Sequence, residues 1–168
     1  MEWIKYAIDL FVIDNLAKCG FDEDDYSGQK QFVDALTDFA RTTGAHVILV
    51  AHMRKGEDEN RPAGKMSIKG TGALTDMVDT VMEVWRNKPR EEARRRAEAD
   101  ARTLGQAVAM PEKFATQPDA MLICHKQRNG ECEPRIGLYF NLSAHQFLSK
   151  EHYQPRQMIE FNAVENAA

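Results

Sequence analysis

The stretch IDLFVID at residues 8–14 constrains the fold more than any other part of the chain. Four consecutive apolar residues, Leu10 to Ile13, run straight into a carboxylate at Asp14. The run is too short for a buried helix and lacks the alternation of a strand with one wet face, which is how a strand buried in a parallel sheet reads. Parallel neighbours cannot be joined by a tight hairpin, so a crossover of a dozen or more residues must follow. The sequence supplies one. CGFDEDDYSG is a polar loop, Ser27 stands where an N-cap is wanted, and a helix is predicted over 28–43. Its apolar positions Phe32, Val33, Leu36, Phe39 and Ala40 share one helical face, and Gly44 follows as the C-terminal stop. HVILVAH at 46–52 is then a second buried strand, which gives a right-handed βαβ unit and an α/β fold.

Beyond that unit, MRKGEDENRPAGKMSIKG is too polar and too rich in glycine and proline to be an element. Loops of that length inside a compact domain usually carry function. TGALTDMVD reads as a short helix and TVMEVWRN as a third strand near 80–85, expected to continue the parallel sheet. Residues 88–118, bounded by Pro89 and Pro111 and rich in Ala, Arg and Glu, read as an inserted, solvated helix; a surface facing DNA or another subunit is the other possibility. Strand character returns at 120–126. Asn129-Gly130 between two strand-like runs is a hairpin signal, and the tail beyond 150 has no clear period. The expected organisation is therefore one domain over 1–150, carrying the 88–118 insertion, and a tail over 151–168.

Composition excludes several classes of protein. With 43% hydrophobic and 29% charged residues, wholesale disorder and fibrous repeats are out. No apolar run approaches the roughly 20 residues of a membrane-spanning helix, so no membrane association is expected. Three cysteines without a C-x-x-C pair fit reduced thiols in a cytoplasmic compartment. A net charge of −4 argues against a histone-like binder while leaving room for a local basic strip.

Four constellations can carry chemistry. Asp14 ends a central parallel strand on the edge where open α/β sheets bind ligands. A carboxylate there suits Mg²⁺ beside phosphates, usually through water, although hhhhD also fits a turn or capping aspartate. His52 ends the neighbouring strand on the same edge, where it can hydrogen-bond a terminal phosphate; a surface histidine has the same pattern. Arg54, Lys55, Arg61, Lys65 and Lys69 alternate with glycines in the long loop, which suits a phosphodiester backbone, although Glu57, Asp58 and Glu59 interrupt them. Lys126 and Arg128, two apart at a strand end, project to one face and could clamp a phosphate in cis or in trans, although an exposed Lys/Arg pair at a hairpin end has the same pattern. No G-x-x-x-x-G-K-[ST] occurs anywhere, and neither a zinc-type Cys/His spacing nor a G-x-S-x-G elbow is present.

Taken in order, FVIDN, HVILVAHMRK, SIKGTGALTDMVDTVMEVWRN and KQRNGE resemble the RecA-like motor domain of hexameric replicative DNA helicases, over about Leu10 to Leu148. The likeness is nearest to the phage primase-helicase and Twinkle branch, with the DnaB type a step further. The resemblance implies a partial RecA-like P-loop NTPase core, with a parallel sheet flanked by helices and a C-terminal hairpin. By position, Asp14 would be the Walker B acid linked to Mg²⁺ and His52 the γ-phosphate sensor. Arg54, Lys55 and Lys69 would lie on or beside the loop that grips single-stranded DNA. Lys126 and Arg128 would reach the ATP held by the next subunit of a homohexameric ring. Phage relatives tend to carry Arg where Lys69 stands, which weakens a bidentate phosphate contact there.

The same resemblance places the Walker A loop and the catalytic glutamate ahead of FVIDN, so this chain corresponds to the second half of an ATPase core. It is expected to be a fragment of a longer gene or a truncated standalone descendant, of phage or prophage origin. The implied activity is ATP hydrolysis coupled to DNA translocation in the full-length protein, during DNA replication. ATP and Mg²⁺ are cofactors of that assembly, with none held tightly by this chain alone. Two alternatives stand beside it: an ATPase-deficient DNA-binding or helicase-associated module, and a RecA/RadA-like recombinase fragment.

Overall fold

The computed structural model describes residues 8–22, 24–53, 60–68 and 72–158. Among the described residues six strands and four α-helices follow in chain order: β1 (Leu10–Asp14), α1 (Tyr26–Thr43), β2 (His46–Val50), α2 (Gly72–Met77), β3 (Thr80–Arg86), α3 (Lys88–Leu104), α4 (Glu112–Ala115), β4 (Ala120–Gln127), β5 (Arg135–Asn141) and β6 (Gln146–Leu148). Strands β1 and β2 form a two-stranded parallel sheet, and the other four form an antiparallel sheet in the order β3-β4-β5-β6. The fold is mixed α/β and compatible with a partial RecA-like core. The chain divides into two compact units, Met1–Trp85 with Leu122–Arg135, and Arg86–Met121 with Ile136–Ala168.

In the first unit the expected parallel pair is present, with Leu10 opposite His46 and Asp14 opposite Val50. The pairing extends one step further through a hydrogen bond from the His46 N–H to the Asp9 carbonyl (2.7 Å). Alternation along β1 turns Phe11 inward, where its ring meets Phe39 of α1 edge-on at 5.2 Å. Leu16, Val33 and Leu74 are buried together, with Phe21, Phe32, Leu49, Met77 and Val78 against them. Each such side chain, taken out of water, contributes about 1.5–3 kcal/mol. The opposite face of the pair, Leu10, Val12 and Ile48, stays exposed.

Helix α1 begins two residues earlier than the sequence suggests. Its N-cap is Asp25, whose carboxylate accepts the Gly28 N–H at 2.9 Å, and Ser27 lies inside the first turn. Asp and Ser are equally good caps; with the helix started at Tyr26, only Asp25 is placed to receive that N–H. Gly44 ends the helix at φ 72°, a left-handed conformation that costs glycine little.

Strand β3 departs from expectation, because it joins the antiparallel sheet and not the parallel pair. The physical reason is in its backbone partners: the Arg128 N–H reaches the Asp79 carbonyl (2.8 Å) at one end and the Asn87 N–H reaches the Asp119 carbonyl (2.9 Å) at the other, so β4 running the opposite way meets its peptide groups. Val81 and Glu83 are buried and Trp85 is half-buried, while Met82 and Val84 face out. The chain does turn back between β4 and its antiparallel neighbour β5, as the Asn129-Gly130 signal suggests, but through the longer connection 128–134. Exposed Glu131, Cys132 and Glu133 are followed by Pro134, which has no N–H to give a ladder, and pairing resumes at Arg135.

In the second unit, α3 starts from Asn87, whose side chain accepts the Arg90 N–H, with Pro89 in the first turn. The helix is not solvated all round. Arg90, Ala97 and Ala101 are buried, and Arg90 is only 3% exposed. Its guanidinium pairs with Asp119, donates from Nε to the Phe114 carbonyl (3.2 Å) and reaches Glu151 (3.1 Å). Asp119 also accepts the Phe140 N–H (2.9 Å). Strands β5 and β6 form the C-terminal hairpin, with Asn141 opposite Gln146. Its turn is held by the Asn141 side-chain carbonyl, which accepts from Ala144 N–H and Ser143 hydroxyl. No helix among the described residues is long and apolar enough to cross a membrane.

Candidate nucleotide-edge site

The parallel register builds the site. Because Asp14 pairs with Val50, the residues just beyond both strands emerge at one carboxyl edge, and His52 stands two positions past Asp14's partner. His52 therefore lies just beyond the end of β2, beside the residue that follows Asp14. The Asp14 and His52 side chains are exposed. Asn15, next after the strand, ties the two chain segments together: its amide Nδ2 donates to His52 Nε2 at 2.7 Å. His52 then carries its proton on Nδ1. The Asn15 Oδ1 is buried and has no hydrogen-bond partner among the described residues. The peptide joining Asp14 to Asn15 is cis. A 3₁₀ turn at Leu16–Lys18 follows at once, anchored by buried Leu16.

Lys126 and Arg128 leave β4 on one face, as their spacing requires, and both go to the C-terminal end of α2. Lys126 Nζ donates to the carbonyls of Thr75 and Asp76, each at 2.8 Å. Arg128 donates to the Asp76 carbonyl (3.0 Å) and pairs with Asp79 (2.9 Å). The last carbonyls of a helix have no intrahelical donor and carry its negative dipole end, so two cations there stabilise it. The sequence shows the pair but not this destination, which lies some fifty residues back along the chain.

Arg54, Lys55 and Lys69, the residues expected to touch DNA, lie outside the described residues. Of the same basic stretch, Arg61 and Lys65 are described and exposed. The base of the loop is closed by an isolated antiparallel bridge between Met53 and Ile68.

A family model described as "AAA domain" matches residues 1–58. That span contains β1, Asp14, Asn15, α1, β2 and His52, the whole of the parallel edge. The match supports an ATPase-like domain of the AAA, P-loop class; it does not specify a helicase. No curated protein matches the chain.

Two residues that the motif reading did not use are central to the same unit. Glu83 of β3 is buried and accepts the backbone N–H groups of Ala63 (2.9 Å) and Gly64 (3.2 Å). His125 of β4 lies with Nε2 2.6 Å from Glu83. Burial pushes the Glu83 carboxyl up. The hydrogen bond from His125, the two loop N–H groups and the charge interaction with His125 outweigh it and hold Glu83 below its ordinary value. A signal was available: in TVMEVWRN, Glu83 shares its face with Val81 and Trp85.

Proposed function

We propose that this chain is the C-terminal portion of an ATP-driven, ring-type replicative DNA helicase, working on single-stranded DNA in a homohexamer. The observation that carries the reading is the joined edge: Asp14 and His52 at the carboxyl ends of adjacent parallel strands, linked through Asn15. An acid and a neutral imidazole there match the needs of a nucleotide's metal and its terminal phosphate. The family match over residues 1–58 supports the ATPase part of this reading.

The residues fit a share of a Mg-ATP site. Mg²⁺ takes oxygen ligands and keeps several waters, so Asp14 would hold it through water, with the Asn15 Oδ1, unpartnered among the described residues, nearby as a further acceptor. Among the described residues no three metal-ligating side chains converge, so the remaining ligands must come from phosphates, water and P-loop groups. The bound ion's chemistry is neutralisation of charge on the phosphates. His52, held by Asn15 through Nε2, offers its Nδ1 proton to an anionic oxygen. Through Asn15, a shift of His52 is passed directly to the end of β1, and its chain continues into the long basic loop. In this reading Lys126 and Arg128 act on ATP bound to the neighbouring subunit. Arg128 is about half exposed and its guanidinium has donors beyond the two that hold α2.

The test mixes Arg128→Ala subunits with Asp14→Ala subunits of the full-length assembly and follows DNA-stimulated ATP hydrolysis. An arginine supplied in trans is worth on the order of 10³–10⁵ in rate. Each variant alone should lose turnover, and mixed rings should regain part of it at interfaces where both intact halves meet. Assembled mixed rings with no recovery at any ratio would place Arg128 in cis or leave it serving α2 alone. A full-length wild-type assembly that hydrolyses no ATP would favour the second reading, a DNA-binding module without ATPase activity, with which the engagement of Lys126 and Arg128 at α2 is consistent.

A further inference from the structure

Glu83 is a carboxylate on the buried face of an apolar strand, where an uncompensated charge would be costly. Its two oxygens are both committed. Oε1 accepts from Ala63 and Oε2 from Gly64, consecutive backbone N–H groups, and His125 meets Oε2. Two adjacent attachments fix the direction of the peptide as well as its position. The attached peptide leads into the 3₁₀ turn at Lys65–Ser67 and on to Ile68, which bridges Met53 at the loop's base. Ser67 reinforces the turn by donating its hydroxyl to the Ala63 carbonyl (2.9 Å).

His125 and Lys126 are neighbours on β4, and neighbours on a strand face opposite ways. One face of the strand end therefore holds the loop through His125 and Glu83, while the other holds the end of α2 through Lys126. Well-packed apolar residues would stabilise the unit as well as a buried, hydrogen-bonded carboxylate does. What a carboxylate adds at Glu83 is a defined geometry for the loop's backbone.

We infer that Glu83 and His125 are a positioning pair that sets the 60–68 segment from the strand that carries Lys126 and leads into Arg128, and thereby tunes the loop's hold on single-stranded DNA. The DNA half rests on the reading under Proposed function; the positioning half does not.

The experiment measures amide hydrogen exchange at Ala63 and Gly64 in the full chain, and in parallel the binding of a labelled oligothymidylate by anisotropy. Glu83→Gln keeps the shape but loses the charge and one acceptor, so exchange at the two amides should rise about tenfold. His125→Leu touches neither amide, yet it should also raise their exchange, and the double variant should go no further than Glu83→Gln. His125→Gln, which keeps a donor toward Glu83, should restore most of the protection; this comparison decides the matter even if Glu83→Gln does not fold. Oligothymidylate affinity should fall severalfold in Glu83→Gln and His125→Leu. Unchanged exchange at Ala63 and Gly64 in Glu83→Gln, or equal exchange in the two His125 variants, would overturn the pair. Faster exchange with undiminished affinity would overturn its link to DNA. A wild-type chain that binds no oligothymidylate, with the amides responding as expected, would sink the DNA-binding reading and leave the positioning pair standing.

Discussion

Replacing Arg90 with methionine tests whether α3 is an anchored element. The side chain is 3% exposed and makes three polar contacts: Asp119, the Phe114 carbonyl and Glu151. The Glu151 carboxylate is 63% exposed, so that contact is worth under about 1 kcal/mol. The loss must come mainly from Asp119, which is stripped of its closest cation while remaining largely buried. Breaking a buried pair from one side costs about 3–5 kcal/mol. Asp119 retains the Phe140 N–H and a longer contact to Arg94 (3.4 Å), which places the expected cost near the lower end, about 3 kcal/mol. For a urea slope of about 2 kcal/mol/M, the unfolding midpoint should fall by about 1.5 M. Far-UV circular dichroism gives the midpoint, and amide exchange along Lys88–Leu104 shows whether the loss is seated in α3. Removing both charges while keeping an acceptor for the Phe140 N–H, in Arg90→Met with Asp119→Asn, should return part of the stability. A fall of less than about 0.3 M for Arg90→Met, or an equal fall for Glu151→Gln alone, would refute the assignment of this energy to the Asp119 pair.

Two further outcomes are expected. Asp25→Ala should cost about 1 kcal/mol in thermal unfolding, by loss of the bond to the Gly28 N–H, whereas Ser27→Ala should be close to neutral; the reverse order would restore Ser27 as the cap. Glu83 sits below its ordinary value in the folded chain, so its contribution is full above the unfolded carboxyl's value and is lost as pH falls through the lower folded value. Urea midpoints measured from pH 6 downward should therefore drop less steeply in Glu83→Gln than in the wild type.

The parallel pairing was legible because Leu10–Ile13 and Val47–Val50 are unbroken apolar runs, but the burial on both faces that such runs suggest is not found, since Leu10, Val12 and Ile48 are exposed. The edge carrying Asp14 and His52 followed from chain order alone. The partners of Lys126 and Arg128 did not, since their acceptors are backbone carbonyls and one aspartate far away in sequence, and a carbonyl leaves no mark in a sequence. Arg90 was hidden for another reason. Its buried companions are Ala97 and Ala101, at i+7 and i+11, and a stripe of alanines closed by an arginine has no hydrophobic periodicity to detect. Glu83 was readable in principle from the alternation of Val81, Glu83 and Trp85. The strand-end motifs drew the reading toward residues facing the proposed ligand instead.

The bare side of the parallel pair has a practical consequence for handling the chain in solution. Leu10, Val12 and Ile48 present branched hydrocarbon to water across two adjacent strands. Sulfate and phosphate salts strengthen the attraction between such surfaces, because these ions are excluded from them. Raising ionic strength is also the means by which phosphate-backbone contacts are diagnosed. With sulfate the two effects would run together, since a sample clumping through its bare strands would mimic a loss of affinity. A chloride titration, with particle size followed by light scattering, keeps charge screening and salting-out apart.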